Sequence, residues 1–411
     1  MTGSLTEADW LKAKETQNVM AALDVARPGG SRFVGGCVRN ALMGRPVDDI
    51  DIATQLLPDE VISALEAAGI RAIPTGIDHG TVTAVESHRP FEITTLRRDV
   101  ETDGRRAVVM FTEEWREDAQ RRDFRLNALY ADLNGTIYDP TGAGADDAAA
   151  GKVVFIGDAD TRLREDYLRI LRFFRFNAWY GQGMDLVGLA ACGRQKAGLS
   201  GIAAERIWKE LKKLLSAPDP SGALAAMMDI GILEDTLQTV DGISVLKTLI
   251  YLEREARLDT DPIRRLLAFL PKNVEAVAAI VARLKLSNAE KDRLTAWAAA
   301  DTSFLEDLGG AKLRAALYRL GRESLLDTIM LSTAGAGGID IALALAGVAE
   351  ASGAEAPHFP LAGQDLIDSG LKPGPLVGEL LRELENVWIE SEFRMTRHDL
   401  LALLEEKMKQ D

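Results

Sequence analysis

The sequence predicts an α+β protein: a small mixed sheet with helices comes first, and an all-helical chain follows. Three observations carry this. Alternating β-branched stretches fall early, among them Thr81–Val85 and Phe91–Leu96. Helix-like patterns, Thr6–Ala26 and Pro58–Ala68, are interleaved with them, so strands and helices share one region. From about Ile202 onward, Leu/Ala-rich helices alternate with Gly or Pro stops and show no repeat of fixed period.

Taken in order, Thr6–Ala26 carries Trp10, Leu11, Val19, Met20 and Leu23 at roughly helical spacing, which predicts a helix beneath the strand that begins at Arg32. Phe33 and Val34 run into Gly35-Gly36, then a short helix (Val38–Met43), a Gly44/Pro46 turn and a second strand carrying Asp49 and Asp51. Pro58 opens the next helix and Gly69 stops it. The two strands that follow are bounded by Gly76, Gly80 and His88–Pro90. Arg97–Arg122 is charge-mixed around an apolar piece, Ala107–Phe111, and reads as a mobile lid. Gly135–Asp139 closes the region as a hairpin strand, and Thr141–Gly151 reads as a hinge or linker. Arg162–Tyr180 is predicted as one helix with Leu163, Tyr167, Ile170, Leu171, Phe174 and Ala178 on its apolar stripe. Ala203–Leu215 is a second, with Ile207, Trp208, Leu211 and Leu215 inward.

At 411 residues the chain has room for two or three domains. Its 47% hydrophobic and 27% charged content is that of a soluble globular protein. No basic, apolar leader opens the chain, and no apolar run approaches the roughly 20 residues that span a bilayer. Cys37 and Cys192 form no Cys-x-x-Cys, which fits a reducing cytoplasm. A net charge of −15 argues against a polyanion partner, but local charge decides binding. Between Lys152 and Lys213 twelve Lys/Arg stand against seven Asp/Glu, so this region is electrostatically set apart.

The chemistry concentrates in Phe33–Thr54. Strand alternation turns Asp49 and Asp51 to one face and Ile50 and Ile52 to the other. Two carboxylates aimed together repel unless a cation sits between them, and a divalent metal bound to phosphate oxygens is the usual answer. Gly35 and Gly36 let backbone approach phosphates, and Arg39 supplies a positive fork. This set points to metal-dependent nucleotidyl transfer. Glu92 is the natural third acid if its strand lies beside that of Asp51; alone it would read as a solvated strand residue. Arg122, Asp123 and Asn127 are spaced to serve a sugar and a phosphate, with Phe124, Leu126 and Leu129 as core. Asp166, Arg169, Arg172 and Arg175 recur every three residues along one helix edge. An ion-paired solvated face is the bland reading, but one acid against three arginines favours a polyanion.

Gly35-Gly36-Cys37-Val38-Arg39 with Asp49-Ile50-Asp51, Arg121-Arg122-Asp123-Phe124 with Asn127-Ala128-Leu129, Glu165-Asp166-x-x-Arg169, and Glu205-Arg206-Ile207-Trp208-Lys209-Glu210 occur in that order. The set resembles the class II CCA-adding tRNA nucleotidyltransferase and bacterial poly(A) polymerase family of the DNA polymerase beta superfamily. The resemblance covers Phe33–Leu215 and continues weakly through Gly363–Leu366 and Gly370–Pro375. It implies a catalytic nucleotidyltransferase head (residues 1–140), a helical neck that binds nucleotide and RNA (141–216), and an all-helical, tRNA-binding body and tail (217–411). It implies Mg²⁺ held by Asp49, Asp51 and Glu92, and a triphosphate held by the Gly35-Gly36 turn and Arg39. Arg122 and Asp123 would serve the sugar side, Asp166 and Arg169 would act as a protein template for the base, and Arg172 and Arg175 would extend toward triphosphate or primer. Implied partners are tRNA, CTP and ATP, with no membrane and no DNA. Asn40 stands where the family often has Asp, and Arg125 where it often has Thr.

The template idea has physical sense of its own. Carboxylate only accepts and guanidinium only donates. Cytosine and adenine each offer an amino donor beside a ring-nitrogen acceptor, whereas uracil and guanine present a carbonyl and a ring N–H. An Asp/Arg pair therefore selects C and A, since a mismatched base leaves polar groups unpaired. Poly(A) polymerase shares every motif, but Leu400–Asp411 lacks a basic extension. A CC-adding enzyme is disfavoured by retention of Arg98-Asp99 through Arg105, and a non-catalytic RNA-binding protein by the three intact acids; an A-adding partial enzyme of the same family is the other alternative.

Overall fold

Segments rich in Val, Ile and Thr build the strands β1 (Ser31–Val34), β2 (Asp51–Thr54), β3 (Arg71–Gly76), β4 (Thr81–Glu86), β5 (Arg89–Thr95), β6 (Arg97–Val100), β7 (Val108–Phe111), β8 (Tyr130–Ala131) and β9 (Ile137–Tyr138). The computed structural model describes residues 5–100, 108–237, 242–335 and 339–410. Seven strands form one mixed sheet of order β3-β4-β5-β2-β1-β8-β9. Its pairs are antiparallel except β2 and β5, which run parallel with Asp51 opposite Glu92 and Ile52 opposite Ile93. β6 and β7 form a separate hairpin, Arg97 opposite Phe111. The charged stretch read as a lid is thus partly sheet, and its centre, residues 101–107, lies outside the described residues.

One sheet face carries Phe33, Ile52, Ile93 and Val82, all fully buried. Period-two alternation sets them there, and the amphipathic helices α2 (Lys14–Ala26, after the short α1, Asp9–Lys12) and α4 (Pro58–Ala67) supply Val19, Leu23, Val61 and Leu65 against this face. Trp10 meets the Phe33 ring edge-on at 4.9 Å. In α4 Pro58 occupies the first turn and Glu60 Oε2 accepts from the Leu57 amide at 2.7 Å. The other face begins with Val34, Ala53 and Tyr130, which pack with Leu96, Ala119 and Ile156. At its open end this face carries Asp51 and Glu92.

Between β1 and β2 lies α3 (Gly36–Leu42), entered through Gly35 at φ 72°, a left-handed turn that suits glycine alone. Helix α5 (Trp115–Gln120) caps the second face. The Gly/Ala/Asp-rich stretch expected as a linker holds a helix instead, α6 (Gly144–Ala149). Asp139 organises it, accepting the amides of Thr141 and Gly142 on one oxygen and of Gly144 and Ala145 on the other. Gly144 sits so close that a Cβ would fall 2.4 Å from the Arg125 carbonyl oxygen.

The helix expected over Arg162–Tyr180 is two, α7 (Ala159–Glu165) and α8 (Leu168–Tyr180), because Asp166 adopts an extended φ/ψ of −154°/104°. Its side chain accepts the Leu168 amide at 3.1 Å and starts the second helix. α9 (Leu186–Gln195), α10 (Ala204–Leu215) and α11 (Ser221–Asp229) follow. The chain divides into two compact units, Met1–Ile232 and Leu233–Asp411. Among described residues the second unit is helical. In it Leu366, Leu384, Trp388, Leu400 and Leu404 form one core.

Candidate functional site

The site grows from the open edge of β2 and β5. Their parallel register places Asp51 directly beside Glu92, and the two side chains share a face. Asp49 is exposed and lies just before β2, in a segment outside regular secondary structure rather than within the strand. Burial pushes the Asp51 carboxyl up to about 6, and the charges of Glu92 and Asp49 push the same way against Arg122. The three acids named from sequence are therefore electrostatic neighbours. Among the described residues no three His, Cys, Asp or Glu side chains are grouped closely enough to hold a metal by themselves. All-oxygen donors fit Mg²⁺, which characteristically takes one or two carboxylates and completes its shell with substrate phosphates and water.

Beside these acids stand Gly35, Gly36 and Arg122: a Cβ on Gly35 would lie 3.7 Å from Arg122 Nη1. Arg122 is held by Asp118 Oδ2, at 2.9 Å from Nη2 and 3.2 Å from Nε. Burial by itself would raise the Asp118 carboxyl, but Arg122 and Arg121 hold it down at about 2. Arg39 is almost fully buried, not an open fork. It donates from Nη1 to Asn127 Oδ1 at 2.5 Å, from Nη2 to Tyr180 Oη at 2.7 Å, and from Nε and Nη2 to Asn40 Oδ1 at 3.1 and 2.8 Å. Its guanidinium also stacks 3.9 Å from the Tyr180 ring. Asn40, one of the two departures, thus serves as an acceptor that orients Arg39. Arg125, the other, pairs with Asp147 at 2.7 Å and fastens α6.

A buried polar chain continues from Asn127. Its Nδ2 donates to Asp123 Oδ1 at 3.2 Å, and Asp123 Oδ2 accepts from Arg172 Nε at 2.8 Å and from Nη2. Burial opposes ionisation of Asp123, yet Arg172 and these hydrogen bonds hold its carboxyl below the usual range. Arg175 faces Glu210 at 2.9 Å in an ion pair without hydrogen-bond alignment. The excess of arginine on α8 is therefore balanced by acids on other elements, Asp123 and Glu210. At the α7–α8 break Asp166 Oδ2 accepts from Arg206 Nη2 at 2.9 Å. Arg169 donates to Glu165 and to the Arg162 carbonyl. Asp166 is a third exposed and Arg169 about an eighth.

The structure brings Asp49, Asp51, Glu92, Gly35, Gly36 and Arg122 into one neighbourhood. Arg39, Asn127, Asp123, Arg172 and Arg175 form the buried chain behind it, and Asp166 and Arg169 sit at a helix break with separate partners. Sequence reasoning gave no role to Asp118, Arg162, Tyr180 and Glu210. Asp118 left a local signal, four residues before Arg122, and Glu210 stood in the Glu205–Glu210 stretch without a partner assigned.

Comparison with known proteins bears on the family. Residues 31–154 match the family model described as poly A polymerase head domain, and 189–241 that described as a probable RNA and SrmB-binding site of polymerase A. A mitochondrial CCA tRNA nucleotidyltransferase 1 from Danio rerio is 33% identical over 400 residues, 91% of this chain and 86% of the relative. The chain belongs to the class II CCA-adding tRNA nucleotidyltransferase and poly(A) polymerase family. A second relative, a CCA-adding enzyme from Limosilactobacillus fermentum, is 31% identical over 405 residues, 96% of this chain and 99% of the relative. The fold also matches the crystal structure of the Bacillus stearothermophilus CCA-adding enzyme in complex with CTP, with a TM-score of 0.75 at 26% identity over 97% of this chain and 98% of that one. Class II members of this family are nucleotidyltransferases, and no helix among the described residues is long and apolar enough to cross a membrane.

Proposed function

We propose that this chain adds C, C and A in turn to the 3′ end of tRNA from CTP and ATP, without a nucleic-acid template. The observation that carries the chemistry is the parallel register of Asp51 and Glu92 on the open sheet face, with Asp49 two residues upstream. The substrate rests on relatives that match over nine-tenths of the chain and are CCA-adding enzymes. Asp49, Asp51 and Glu92 would hold Mg²⁺, which when bound supplies Lewis-acid activation of the 3′-hydroxyl and neutralises charge on the departing pyrophosphate. The 3′-oxygen forms a bond to the α-phosphorus as the bond to the β-phosphate oxygen breaks, and the hydroxyl proton leaves to solvent.

The remaining work belongs to orientation. The Gly35-Gly36 turn admits the triphosphate, with Arg122 beside it. Arg39, its donors committed to Asn127, Asn40 and Tyr180, fixes the turn against α8 rather than serving as a loose phosphate ligand. Asp123, Asn127 and Arg172 form the rigid floor on the sugar side. Asp166 and Arg169 read the amino group and ring nitrogen of C or A; the base must share Asp166 with Arg206 and Arg169 with Glu165. A cytoplasmic location is the companion reading, resting on two free, buried cysteines, Cys37 and Cys192.

The decisive experiment supplies all four nucleotides and Mg²⁺ with a tRNA lacking its terminal trinucleotide and sequences the product 3′ ends. The expected product ends in CCA and grows no further. Long poly(A) tails on unstructured RNA would instead assign the chain to the polymerase branch of its family.

A further inference from the structure

Asp118 is the most heavily bonded acid near the site. It lies in α5, between the β6/β7 hairpin and the Arg121-Arg122-Asp123 stretch. Its carboxylate is 1% exposed. Besides Arg122, it accepts from Arg121 Nε at 2.9 Å, from Tyr130 Oη at 2.7 Å and from the Arg97 amide at 3.4 Å. A carboxylate offers about four acceptor positions, so Asp118 has none to spare for metal or substrate. Its effect must pass through the groups it holds.

Of those groups, Arg122 is the one that reaches the site. Asp118 fixes it by Nε and Nη2, while Nη1 lies toward the Gly35 turn. The same guanidinium is the positive charge acting on Asp51. The Tyr130 ring lies 5.5 Å from the guanidinium carbon, so it fills the space beneath while its hydroxyl locks the carboxylate. Arg162 holds the same segment from behind, donating to the carbonyls of Arg121 and Arg122 at 2.5 and 2.7 Å. Free rotation of a long side chain is thereby removed before any ligand arrives, which is preorganisation.

We propose that Asp118 is a positioning residue that sets the Arg122 guanidinium for the nucleotide triphosphate, resting on the nucleotidyl-transfer reading above. The test is a double-mutant cycle in the full-length protein, read as CTP affinity by equilibrium dialysis with Mg²⁺ and separately as tRNA affinity by filter binding. Asp118→Asn keeps the shape and removes the charge, and is expected to weaken CTP binding roughly tenfold while tRNA affinity moves less than about twofold. In an Arg122→Met background the same substitution is expected to have no further effect on CTP, because its influence has lost its carrier. Tyr130→Phe, which removes only the hydroxyl, is expected to weaken CTP binding roughly twofold to threefold and carries the cycle if Asp118→Asn does not fold. Equal losses in both backgrounds, or parallel losses of CTP and tRNA binding, would assign Asp118 to general stability and overturn the proposal. Wild-type protein that binds no CTP overturns this and the parent reading together. Wild-type protein that binds CTP but extends no tRNA overturns the parent reading alone, and the cycle still decides Asp118.

Discussion

Two buried arginine–carboxylate clusters, one in each unit, invite comparison. In Leu233–Asp411, Arg264, Arg265 and Arg293 face Glu253, Asp261 and Asp327, with Glu323 at the rim. Arg264 Nε meets Asp327 Oδ1 at 2.9 Å and Arg293 Nε meets Oδ2 at 2.7 Å. These charges come from helices Ile243–Glu255, Pro262–Leu267, Asn288–Ala299 and Gly310–Ala334, so they tie four helices together. In Met1–Ile232, Asp118 holds Arg122 beside the acids proposed to hold metal, and Asp123 holds Arg172 in the buried chain behind them. Here the arginines keep partly exposed edges, 20% for Arg122 and 33% for Arg172, against 5% for Arg264 and 2% for Arg265.

The protonation balance differs as well. Burial prevails over the arginines at Glu253 and Asp327, whose carboxyls sit above their usual range. At Asp118 and Asp123 burial loses to the arginines and the carboxyls sit below it. Sealed ion clusters cost desolvation that their own attraction only about recovers, so their work is to specify a packing. Clusters open on one side keep charge available for a ligand. On the proposed function, the contrast separates charges that build the fold from charges that would serve the reaction.

The sharpest way to break it is at the acids themselves. Asp51→Ala is expected to lower incorporation about a thousandfold or more, with tRNA affinity and melting temperature preserved. Substantial residual turnover would remove Asp51 from the metal site. Asp327→Ala should do the reverse, lowering unfolding stability by about 3–5 kcal/mol, since two guanidiniums lose their buried partner. Denaturant melts measure it; a variant that melts normally but fails to incorporate nucleotide would erase the distinction between the clusters. Next comes Asp166→Ala, expected to relax the preference for C and A over U and G by roughly tenfold while slowing chemistry less. Unchanged selectivity in competition with all four nucleotides would remove the template role.

The smallest effect is on pH. Asp118 and Asp123 have depressed folded-state values, so the unfolded chain binds more protons and their stabilisation is lost as pH falls from about 4 toward 2. Glu253 and Asp327, raised in the folded state, gain relative stability earlier in the acidification, as pH falls through their raised values toward the unfolded ones, and keep it below that, with Asp261 opposing them at lower pH. Hydrogen exchange is therefore expected to accelerate around Ala119–Leu129 at a higher pH than around Arg264 and Arg265. The opposite order would mean the clusters do not differ as drawn.

Much of this was legible from spacing. Period-two alternation placed Ile50 and Ile52 inside and Asp51 outside. The amphipathic spacing of Arg162–Tyr180 gave Leu163, Ile170, Leu171 and Phe174 as buried, whereas Tyr167 and Ala178 are only partly so and Leu168, Phe173 and Phe176 are buried as well. Asp49 was expected on the strand, yet β2 begins only at Asp51. The unbroken helix was another miss, because an Asp side chain that competes for a nearby amide looks like any other polar residue in a periodic pattern. Strand β3 escaped because its residues are largely solvent-facing and lack alternation.

By itself the sequence determined the local alphabet of this protein: which segments coil or extend, where glycine must turn, and which carboxylates and guanidiniums are present in order. Those properties depend on neighbours within a few residues. Which acid answers an arginine from a distant segment was decided by tertiary structure. Asp123 meets Arg172 across 49 positions and Asp166 meets Arg206 across 40. Coulombic pairing acts through space, and only the folded chain sets those distances and the dielectric between them.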